Sequence, residues 1–336
     1  MAAASRAKPT YSEIAAAAGV SEATVSRVLN GDDRVHPDRA KRVRKAVEKL
    51  GYSRNRAAAA LASGKTGLIA IVIEDDLGVF EDPFWATVSS GVSRVLMANE
   101  LQTLLMVTQA NTLSGPIAHY LDSGEVDGAI FFQLHRDTLV RSLSKHGLPV
   151  VVVGAPHKDS GLVYVDVDQR GGGHIATNHL FETGCERLAT ITGDIGTTAG
   201  RRRLDGFLDA CSEAGYRAPK QFIMQGDFSF ESGRASMKKL LAQKTMPDGV
   251  FCANDLMAAG ALTAIEEAGL LCPDDIRIVG FDDSVIAQTA RPPLTSVRQD
   301  ITGLGETAAS LMIKLLQGTK VTPVVLPTEL VVRVSC

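Results

Sequence analysis

The stretch that decides the fold of the N-terminal part is residues 19–30, GVSEATVSRVLN. Gly19 can adopt the left-handed conformation that ends a helix, and Ser21 is a good N-cap for the next helix. Apolar side chains at i, i+3 and i+4 predict one buried face on that next helix: Val25, Val28 and Leu29. The opposite face carries small or polar side chains. This pattern predicts a turn followed by a short amphipathic helix.

The flanking segments extend this pattern to three helices. Thr10 and Glu13 have the spacing of a capping box, so we expect a helix to begin there and to end at Gly19. Pro37 suits the first position of a third helix, which Gly51 ends. A second helix with a small and polar outer face fits the major groove of DNA. The sequence therefore predicts a helix-turn-helix.

The distribution of charge agrees with DNA binding. Residues 1–65 hold 13 Lys and Arg against 6 Asp and Glu, a net charge of +7, whereas residues 66–336 carry a net charge of −10. Contacts to phosphates require such a local positive charge. A solvated basic helix is the simpler alternative, and the turn, the caps, the apolar face and the charge together favour DNA binding over it.

The N-terminal segment resembles the DNA-binding domain of the LacI (lac repressor) family. The residues that carry the resemblance are 8–10, 14–15, 18–21, 23–31 and 50–52, and the run NRAAAAL at 55–61 matches the family's hinge helix. The implied order is a disordered basic arm over 1–8, a helix-turn-helix domain over 9–53, and a hinge helix with linker over 54–65.

The resemblance also implies which residues contact DNA. Glu22, Ala23 and Arg27 occupy the positions that read the major groove. Arg27 suits a guanine edge or a phosphate, and Ala23 suits a thymine methyl group. Glu22 suits a cytosine amino group or the positive end of the helix dipole, and we favour the dipole. The implied phosphate or framework contacts are Thr10, Tyr11, Ser21, Thr24, Ser26 and Asn30.

The hinge helix is marginal in water because it is short. The resemblance implies that it orders on DNA beside the hinge of a second subunit. Asn55 lies in the matching run, Ala58 matches a minor-groove position, and Leu61 matches the apolar wedge that opens a base step. An ordinary linker that contains a leucine is the alternative.

Residues 66–336 are long enough for two α/β lobes. Short apolar runs predict buried parallel strands: 67–73, 101–107, 127–132, 149–153, 187–192, 222–224, 248–252 and 276–281. Helical patterns lie between them: 85–99, 172–182, 201–214, 232–243 and 256–268. The alternation predicts doubly wound parallel sheets, which bind ligands at the carboxyl ends of their strands.

This part of the chain resembles the two-lobed effector domain of the same family, which is similar to periplasmic sugar-binding proteins. The blocks that carry the resemblance are 226–233, 253–258, 279–283, 292–299 and 326–330. The resemblance implies dimerisation along this domain and three crossings between lobes. Lobe one would hold about 66–165 and 298–324, and lobe two about 166–297 and 325–336.

Polar side chains near predicted strand ends are candidates for an effector site. Asn254, Asp282 and Gln299 offer donors and acceptors for hydroxyl groups. Arg203, at the family's effector-contacting position, suits a carboxylate, a phosphate or vicinal hydroxyls. The candidate apolar walls are Phe84, Trp85 and Phe228. The local alternatives are turn capping by Asn254 and Asp282, a solvated Arg203 and a core Trp85.

Two positions depart from the sugar-binding relatives. Gly154-Ala155 stand where an Asp, often followed by Arg, commonly follows the strand over 149–153, and Asp82 stands where Asn often precedes the Pro-Phe pair. We therefore expect a charged sugar clamp to be missing from lobe one, which counts against a free pentose or hexose. A nucleoside, a polyol, a phosphosugar and a co-repressor protein stay open.

No catalytic motif, metal site or cofactor is expected. The run over 171–173, Gly-Gly-Gly, is not the Gly-x-Gly-x-x-Gly phosphate loop, and no Walker A sequence or Gly-x-Ser-x-Gly elbow occurs. His174 and His179 are a poor metal pair, because they lie on diverging helix faces. The five cysteines form no Cys-x-x-Cys pair and are expected to be reduced, buried thiols.

The sequence predicts a cytoplasmic protein, because it shows neither the apolar core of a signal peptide nor an apolar run of membrane-spanning length. The predicted fold is an all-α helix-turn-helix head and hinge, followed by a two-lobed α/β effector domain. The predicted function is a repressor that binds a pseudo-palindromic double-stranded operator as a homodimer under control of a small-molecule effector. The disfavoured alternatives are a periplasmic-type binding protein and a sugar- or nucleotide-processing enzyme.

Overall fold

The structure is a computed structural model that describes residues 9–29, 32, 34–52, 64–74, 82–108, 116–132, 138–156 and 161–336. It divides into two compact units, Met1–Thr66 and Gly67–Cys336. The predicted basic arm, Asn30, and the hinge residues Asn55, Ala58 and Leu61 lie outside the described residues. The expectations for them therefore stay predictions.

The first unit contains the three predicted helices. They are α1 (Tyr11–Ala18), α2 (Glu22–Leu29) and α3 (Pro37–Leu50). Thr10 and Glu13 form the predicted capping box of α1, and Gly19 ends that helix with φ of 62°. Ile14, Val25 and Val43 are completely buried and join the three helices in one small core.

The second unit alternates strands with helices. The strands are β1 (Leu68–Glu74), β2 (Gln102–Thr108), β3 (Gly128–Phe132), β4 (Val150–Val153), β5 (Val163–Val167), β6 (Leu188–Thr192), β7 (Ile223–Gln225), β8 (Gly249–Cys252), β9 (Arg277–Asp282), β10 (Thr295–Gln299), β11 (Val324–Leu326) and β12 (Thr328–Val331). The helices are α4 (Pro83–Ala98), α5 (Pro116–Asp122), α6 (Thr138–Lys145), α7 (Gln169–Glu182), α8 (Thr198–Glu213), α9 (Phe230–Leu241), α10 (Asp255–Glu267), α11 (Val285–Thr289) and α12 (Ile301–Leu316).

The strands form two six-stranded sheets, which define the two lobes. Lobe one is built on the sheet with the order β11-β5-β4-β3-β1-β2, in which every pairing is parallel. Lobe two is built on the sheet β12-β10-β9-β8-β6-β7, which is parallel except for the β10–β12 pair. Each sheet lies between helices, and its buried strands carry the apolar cores. The predicted doubly wound α/β fold is confirmed.

The chain crosses between lobes at three places, beside Asp168, Asp300 and Pro327. The third crossing lies later than the expected boundary after residue 324, because β11 pairs with β5 in lobe one. Asp168 and Asp300 cap the helices that follow them, accepting hydrogen bonds from the backbone N–H groups of Gly171 and Gly303. The first two crossings therefore end at helix N-termini, which have backbone donors to offer.

The expectation for the cysteines changes in detail, and the glycines over 171–173 have a packing role. The cysteines are free thiols, but Cys272 and Cys336 are only half-buried, and only the other three are buried. The glycines over 171–173 serve packing: a Cβ on Gly172 would lie 2.5 Å from the ring of Phe281, and one on Gly173 would overlap the carbonyl oxygen of Arg203. In the part of the chain that the structure describes, none of the helices combines the length and apolarity needed to cross a membrane.

Candidate functional site

A cavity of about 550 Å³, a volume that includes space open to solvent, lies between lobe one and lobe two. We call it the first cavity. Phe84 and Trp85 from the first turn of α4 line it on the side of lobe one, and Arg203 of α8 lines it on the side of lobe two. Gln299, at the end of β10, lies in its wall. The cavity is thus at the carboxyl ends of the strands, where parallel sheets bind ligands.

Arg203 is held in place by the close approach of α7 and α8. Gly173 of α7 and Gly206 of α8 each lie against a backbone carbonyl of the opposite helix, so that neither position has room for a Cβ. Thr197 starts α8 by accepting a hydrogen bond from the backbone N–H of Gly200. This packing leaves Arg203 with only 4% of its surface exposed.

The guanidinium of Arg203 is oriented by several partners. Its Nε donates to Oε1 of Gln169 over 2.7 Å, and its Nη1 donates to the carbonyl oxygen of Ala253. Nη1 also lies 3.5 Å from a carboxylate oxygen of Asp282. The guanidinium carbon sits 3.6 Å from the ring centroid of Phe281, a cation–π contact. Arg203 is therefore an oriented, buried cation, and the expected alternative of a solvated arginine is wrong.

Asp282 ends β9 in a backbone conformation that L-residues rarely adopt, with φ of 109°. Gln299 donates a hydrogen bond from Nε2 to Oδ1 of Asp282. Burial raises the pKa of Asp282 well above its usual range, although the guanidinium of Arg203 opposes this shift. A strained, buried carboxylate with a perturbed pKa is typical of a functional site.

Asn254 and Asp255 lie behind this pair at the start of α10. Asn254 caps the helix by accepting a hydrogen bond from Met257 N, and its Nδ2 donates to the carbonyl oxygen of Phe228. Asp255 accepts hydrogen bonds from the Ser296 hydroxyl and from Ser284 N. Burial raises the pKa of Asp255 from 3.8 to about 7, although these hydrogen bonds oppose the shift.

Lobe one supplies a carboxylate that the sequence did not predict. Asp166 of β5 lines the first cavity together with Gly154 and Ala155. Its side chain accepts hydrogen bonds from the backbone N–H of Ala155 over 3.0 Å and from Nε2 of Gln169 over 2.8 Å. The expected clamp position after β4 thus carries no charged side chain, and the neighbouring strand places the carboxylate of Asp166 beside it.

Aromatic rings form the apolar wall of the first cavity. Trp85 stacks on Phe132, with ring centroids 6.2 Å apart and an angle of 18° between the rings, and Phe84 meets Trp85 edge-on. Trp85 is 8% exposed, so it belongs to the core and also borders the cavity. Phe228 does not line the cavity: its ring packs closely on Gly193.

The first unit presents one polar helix face. Glu22, Ala23 and Arg27 of α2 are exposed, whereas Val25 and Val28 of the same helix are buried. Ser21 accepts a hydrogen bond from Thr24 N over 3.3 Å, as a helix N-cap does. The described residues expected to contact phosphates or the framework lie on α1 and α2 or at their starts. Ser26 is half-buried, and the Tyr11 ring packs against that of Tyr52.

Comparisons with known proteins agree with both units. Residues 10–55 match a model described as bacterial regulatory proteins, lacI family, and residues 177–336 match a periplasmic binding protein-like domain. The chain is 39% identical to the HTH-type transcriptional regulator CelR of Thermobifida fusca, over 98% of this chain and 99% of that protein. The chain belongs to the LacI family. It is a DNA-binding transcriptional regulator, as the sequence predicted.

Two solved structures of LacI-family members cover nearly the whole chain. A complex of CelR with cellobiose has a TM-score of 0.78 at 37% identity and covers 98% of this chain and 100% of its own. The lac repressor dimer bound to operator and the anti-inducer ONPF has a TM-score of 0.87 at 26% identity and covers 98% and 99%.

The structure of this regulator brings together only some of the predicted effector residues. Phe84, Trp85, Arg203 and Gln299 line the first cavity, whereas Asn254, Phe228 and Asp282 do not. Asn254 performs the expected local role as a helix cap, and Asp282 orients Arg203 from behind. The lining side chains that the sequence did not indicate are Phe132, Val153, Asp166, Gln169, Thr197, Thr198, Ala199 and Leu304.

Proposed function

We propose that this LacI-family regulator is a homodimeric repressor whose affinity for operator DNA is controlled by a neutral saccharide bound between its lobes. The observation that carries the proposal is the buried, hydrogen-bonded guanidinium of Arg203 in a cavity that both lobes line. Such a site serves binding, since donors and acceptors converge there on an apolar wall. The complex of CelR with cellobiose is in keeping with this ligand class.

The charge of the first cavity favours a neutral ligand over a phosphorylated one. Four carboxylates act on Arg203: those of Asp82, Asp166, Asp255 and Asp282. Arg202 adds a second cation, 3.9 Å from Asp166. A phosphate would therefore meet the carboxylate of Asp166 in the cavity wall as well as the guanidinium of Arg203. The hydroxyl groups of a saccharide donate to carboxylates and accept from a guanidinium, and a sugar ring stacks on Trp85.

Control of DNA binding follows from the position of the site. A ligand held by side chains of both lobes binds best at one relative angle of the lobes and so shifts the population towards it. A second subunit would provide the second helix-turn-helix for a pseudo-palindromic operator. Binding of the effector at one site would thus change the free energy of operator binding at another, which is the definition of allosteric control.

The proposal is tested by the fluorescence of Trp85, the only tryptophan of the chain. We expect cellobiose to change this fluorescence in a saturable way in the full chain. Gln299→Leu should weaken that binding about tenfold or more, because it removes an amide at the cavity wall. Gln317→Leu, an exposed glutamine at the end of α12, is the matched control. Tighter binding of glucose 6-phosphate or a nucleoside than of any neutral sugar would overturn the proposal.

A further inference from the structure

A hydrogen bond joins the two lobes through residues that lie at none of the three crossings. Asn254, at the start of α10 in lobe two, donates from Nδ2 to Oδ2 of Asp82, which precedes α4 in lobe one, over 3.5 Å. Neither residue lines the first cavity. The Asp82–Asn254 contact therefore connects the lobes without forming part of the wall that would touch a ligand.

The amide of Asn254 is oriented towards Asp82 by its other hydrogen bonds. Its Oδ1 accepts from the backbone N–H of Met257 over 2.9 Å, and its Nδ2 donates to the carbonyl oxygen of Phe228 over 3.0 Å. An amide nitrogen carries two protons, so the second one is left for Asp82. Because Asn254 is only 2% exposed, separation of the lobes would cost this proton a partner in a buried place.

Asp82 divides its carboxylate between the two lobes. Its Oδ1 accepts a hydrogen bond from the backbone N–H of Phe84 over 2.8 Å and so caps α4, while its Oδ2 accepts from Asn254. A carboxylate accepts at both oxygens, whereas an asparagine side chain accepts at only one. Asp82 can therefore make both bonds, and the Asn that often stands at this position in sugar-binding relatives can make one of them.

Each end of the Asp82–Asn254 contact belongs to a helix that is packed closely within its own lobe. A Cβ on Gly91 of α4 would lie 2.5 Å from the carbonyl oxygen of Thr302, in α12 of lobe one. A Cβ on Gly260 of α10 would overlap the carbonyl oxygen of Phe230, in α9 of lobe two. Helices in such close backbone contact move together with their neighbours. The contact therefore acts on the angle between the lobes.

The charge of Asp82 also acts across the cleft on the Arg203–Asp282 pair of lobe two. Burial lowers the pKa of Arg203, and Asp82 is one of the carboxylates that oppose this shift. Burial raises the pKa of Asp282, and the carboxylate of Asp82 adds to this shift. The Arg203 cation thus attracts Asp82, while the raised pKa of Asp282 reduces the repulsion between the two carboxyl groups.

We propose that Asp82 holds the two lobes together in the free regulator, and that effector binding relies on this arrangement. The contact favours the lobe angle at which both lobes line the first cavity, so that a ligand meets a state that is already populated. This proposal rests on the proposed function and adds to it the residue that sets the lobe angle. Asp82 acts through the lobes and is a positioning residue.

The first test needs no ligand. Trp85 lines the first cavity and is 8% exposed, so separation of the lobes should increase the quenching of its fluorescence by acrylamide. Asp82→Asn keeps an oxygen for Phe84 N and removes the acceptor at Asn254, whereas Asn254→Ser keeps a helix N-cap and removes Nδ2. Asp122→Asn, the same substitution at an exposed carboxylate of lobe one, is the matched control.

We expect each single variant to increase the quenching constant of Trp85 in the full chain, and the control to match the wild type. The double variant should be quenched no more than the more affected single variant, because both substitutions remove the same contact. Wild-type quenching in either single variant, or effects that add in the double variant, would overturn the role of Asp82.

The second test uses cellobiose and operator DNA. Asp82→Asn should weaken cellobiose binding about threefold to tenfold, since it lowers the population of the competent lobe angle. Because the contact and the saccharide favour the same angle, Asp82→Asn should shift the operator affinity of the ligand-free chain in the direction opposite to that of cellobiose. A shift in the same direction would overturn this proposal. Tighter binding of glucose 6-phosphate than of any neutral sugar would overturn the proposed ligand class, and the expected quenching pattern would still support the role of Asp82.

Discussion

Replacing Arg203 by methionine should destabilise the unit Gly67–Cys336 far more when Asp282 keeps its charge than when it does not. In the wild-type protein, Nη1 of Arg203 and a carboxylate oxygen of Asp282 lie 3.5 Å apart, and both residues are buried. Arg203→Met leaves the Asp282 carboxylate buried without its cation. Asp282→Asn leaves Arg203 with the other carboxylates that act on it, those of Asp82, Asp166 and Asp255.

The geometry sets the size of these effects. Two unit charges 3.5 Å apart attract each other by about 5 kcal/mol at an effective dielectric constant of roughly 20. Breaking a buried pair from one side typically costs about 3–5 kcal/mol, which we expect for Arg203→Met. Asp282→Asn should cost less, about 1–2 kcal/mol, since other carboxylates remain. The double variant should be more stable than the sum of the two losses predicts, by about 2–3 kcal/mol.

Urea unfolding of the full chain, followed by the fluorescence of Trp85, measures this cycle. Because Trp85 is the only tryptophan, the signal reports the unit that contains Arg203. The slope of the transition should stay the same in all four proteins, so that midpoints compare stabilities directly. Losses that add to within about 0.5 kcal/mol would refute the reasoning, because they would mean that the two charges do not stabilise each other.

Three further outcomes are expected. Burial raises the pKa of Asp255 from 3.8 to about 7, so the stability that this group contributes is complete below about pH 4 and is lost as the pH rises through about 7. Between pH 5 and 8, the wild type should lose about 3 kcal/mol more of its free energy of unfolding than Asp255→Asn. Parallel pH profiles of the two proteins in urea unfolding would contradict this. Gly173→Ala forces a Cβ onto the Arg203 carbonyl and should cost about 1–3 kcal/mol, seen as a lower melting temperature than that of Ser310→Ala on the exposed face of α12. Arg27→Ala should weaken DNA binding about tenfold or more. In anisotropy titrations, a dependence of log affinity on log salt concentration whose slope falls by about one indicates a phosphate contact, and relaxed sequence specificity indicates a base contact. Unchanged binding at every salt concentration would show that Arg27 does not contact DNA.

The strands that could be predicted from the sequence are those buried on both faces. The run over 127–132 is continuously apolar, and β3 occupies Gly128–Phe132 with every residue buried. The strands β5 and β10 were not predicted, because polar residues interrupt them: Asp166 in β5 and Gln299 in β10. Both of these residues line the first cavity. Prediction of strands from continuous apolar runs therefore fails for the strands that contribute polar side chains to the cavity.

The helices were predicted with starts that are too late. The pattern over 201–214 corresponds to α8, which begins at Thr198, and the pattern over 172–182 corresponds to α7, which begins at Gln169. Thr197 and Asp168 are the N-caps of these helices. The missing residues form the polar first turns, which an apolar periodicity does not reveal. The helix α12 was missed although Leu304, Ala308 and Leu311 have helical spacing and are buried.

The site could be predicted in part. The resemblance to the family indicated Arg203, and the chemistry of the side chains indicated Phe84, Trp85 and Gln299; all four line the first cavity. The role of Asp166 depends on the pairing of β4 with β5, which places its carboxylate next to the backbone N–H of Ala155. Sequence spacing does not contain that pairing, since the strands are joined by a loop. The same limit applies to the cavity beside Asp282 and Arg298, whose walls come from three separate segments of the chain.

The most direct test of the account is the affinity of the full chain for operator DNA with and without a saturating neutral saccharide. The operator is first selected from random duplexes by the protein itself, and the saccharide is the one that binds with the highest affinity in the Trp85 titration. We predict that the saccharide changes the operator affinity about tenfold or more in the wild type, and that Gln299→Leu requires about tenfold more saccharide for the same change. The same operator affinity in the presence and absence of a bound saccharide would contradict the central claim that the cavity controls DNA binding.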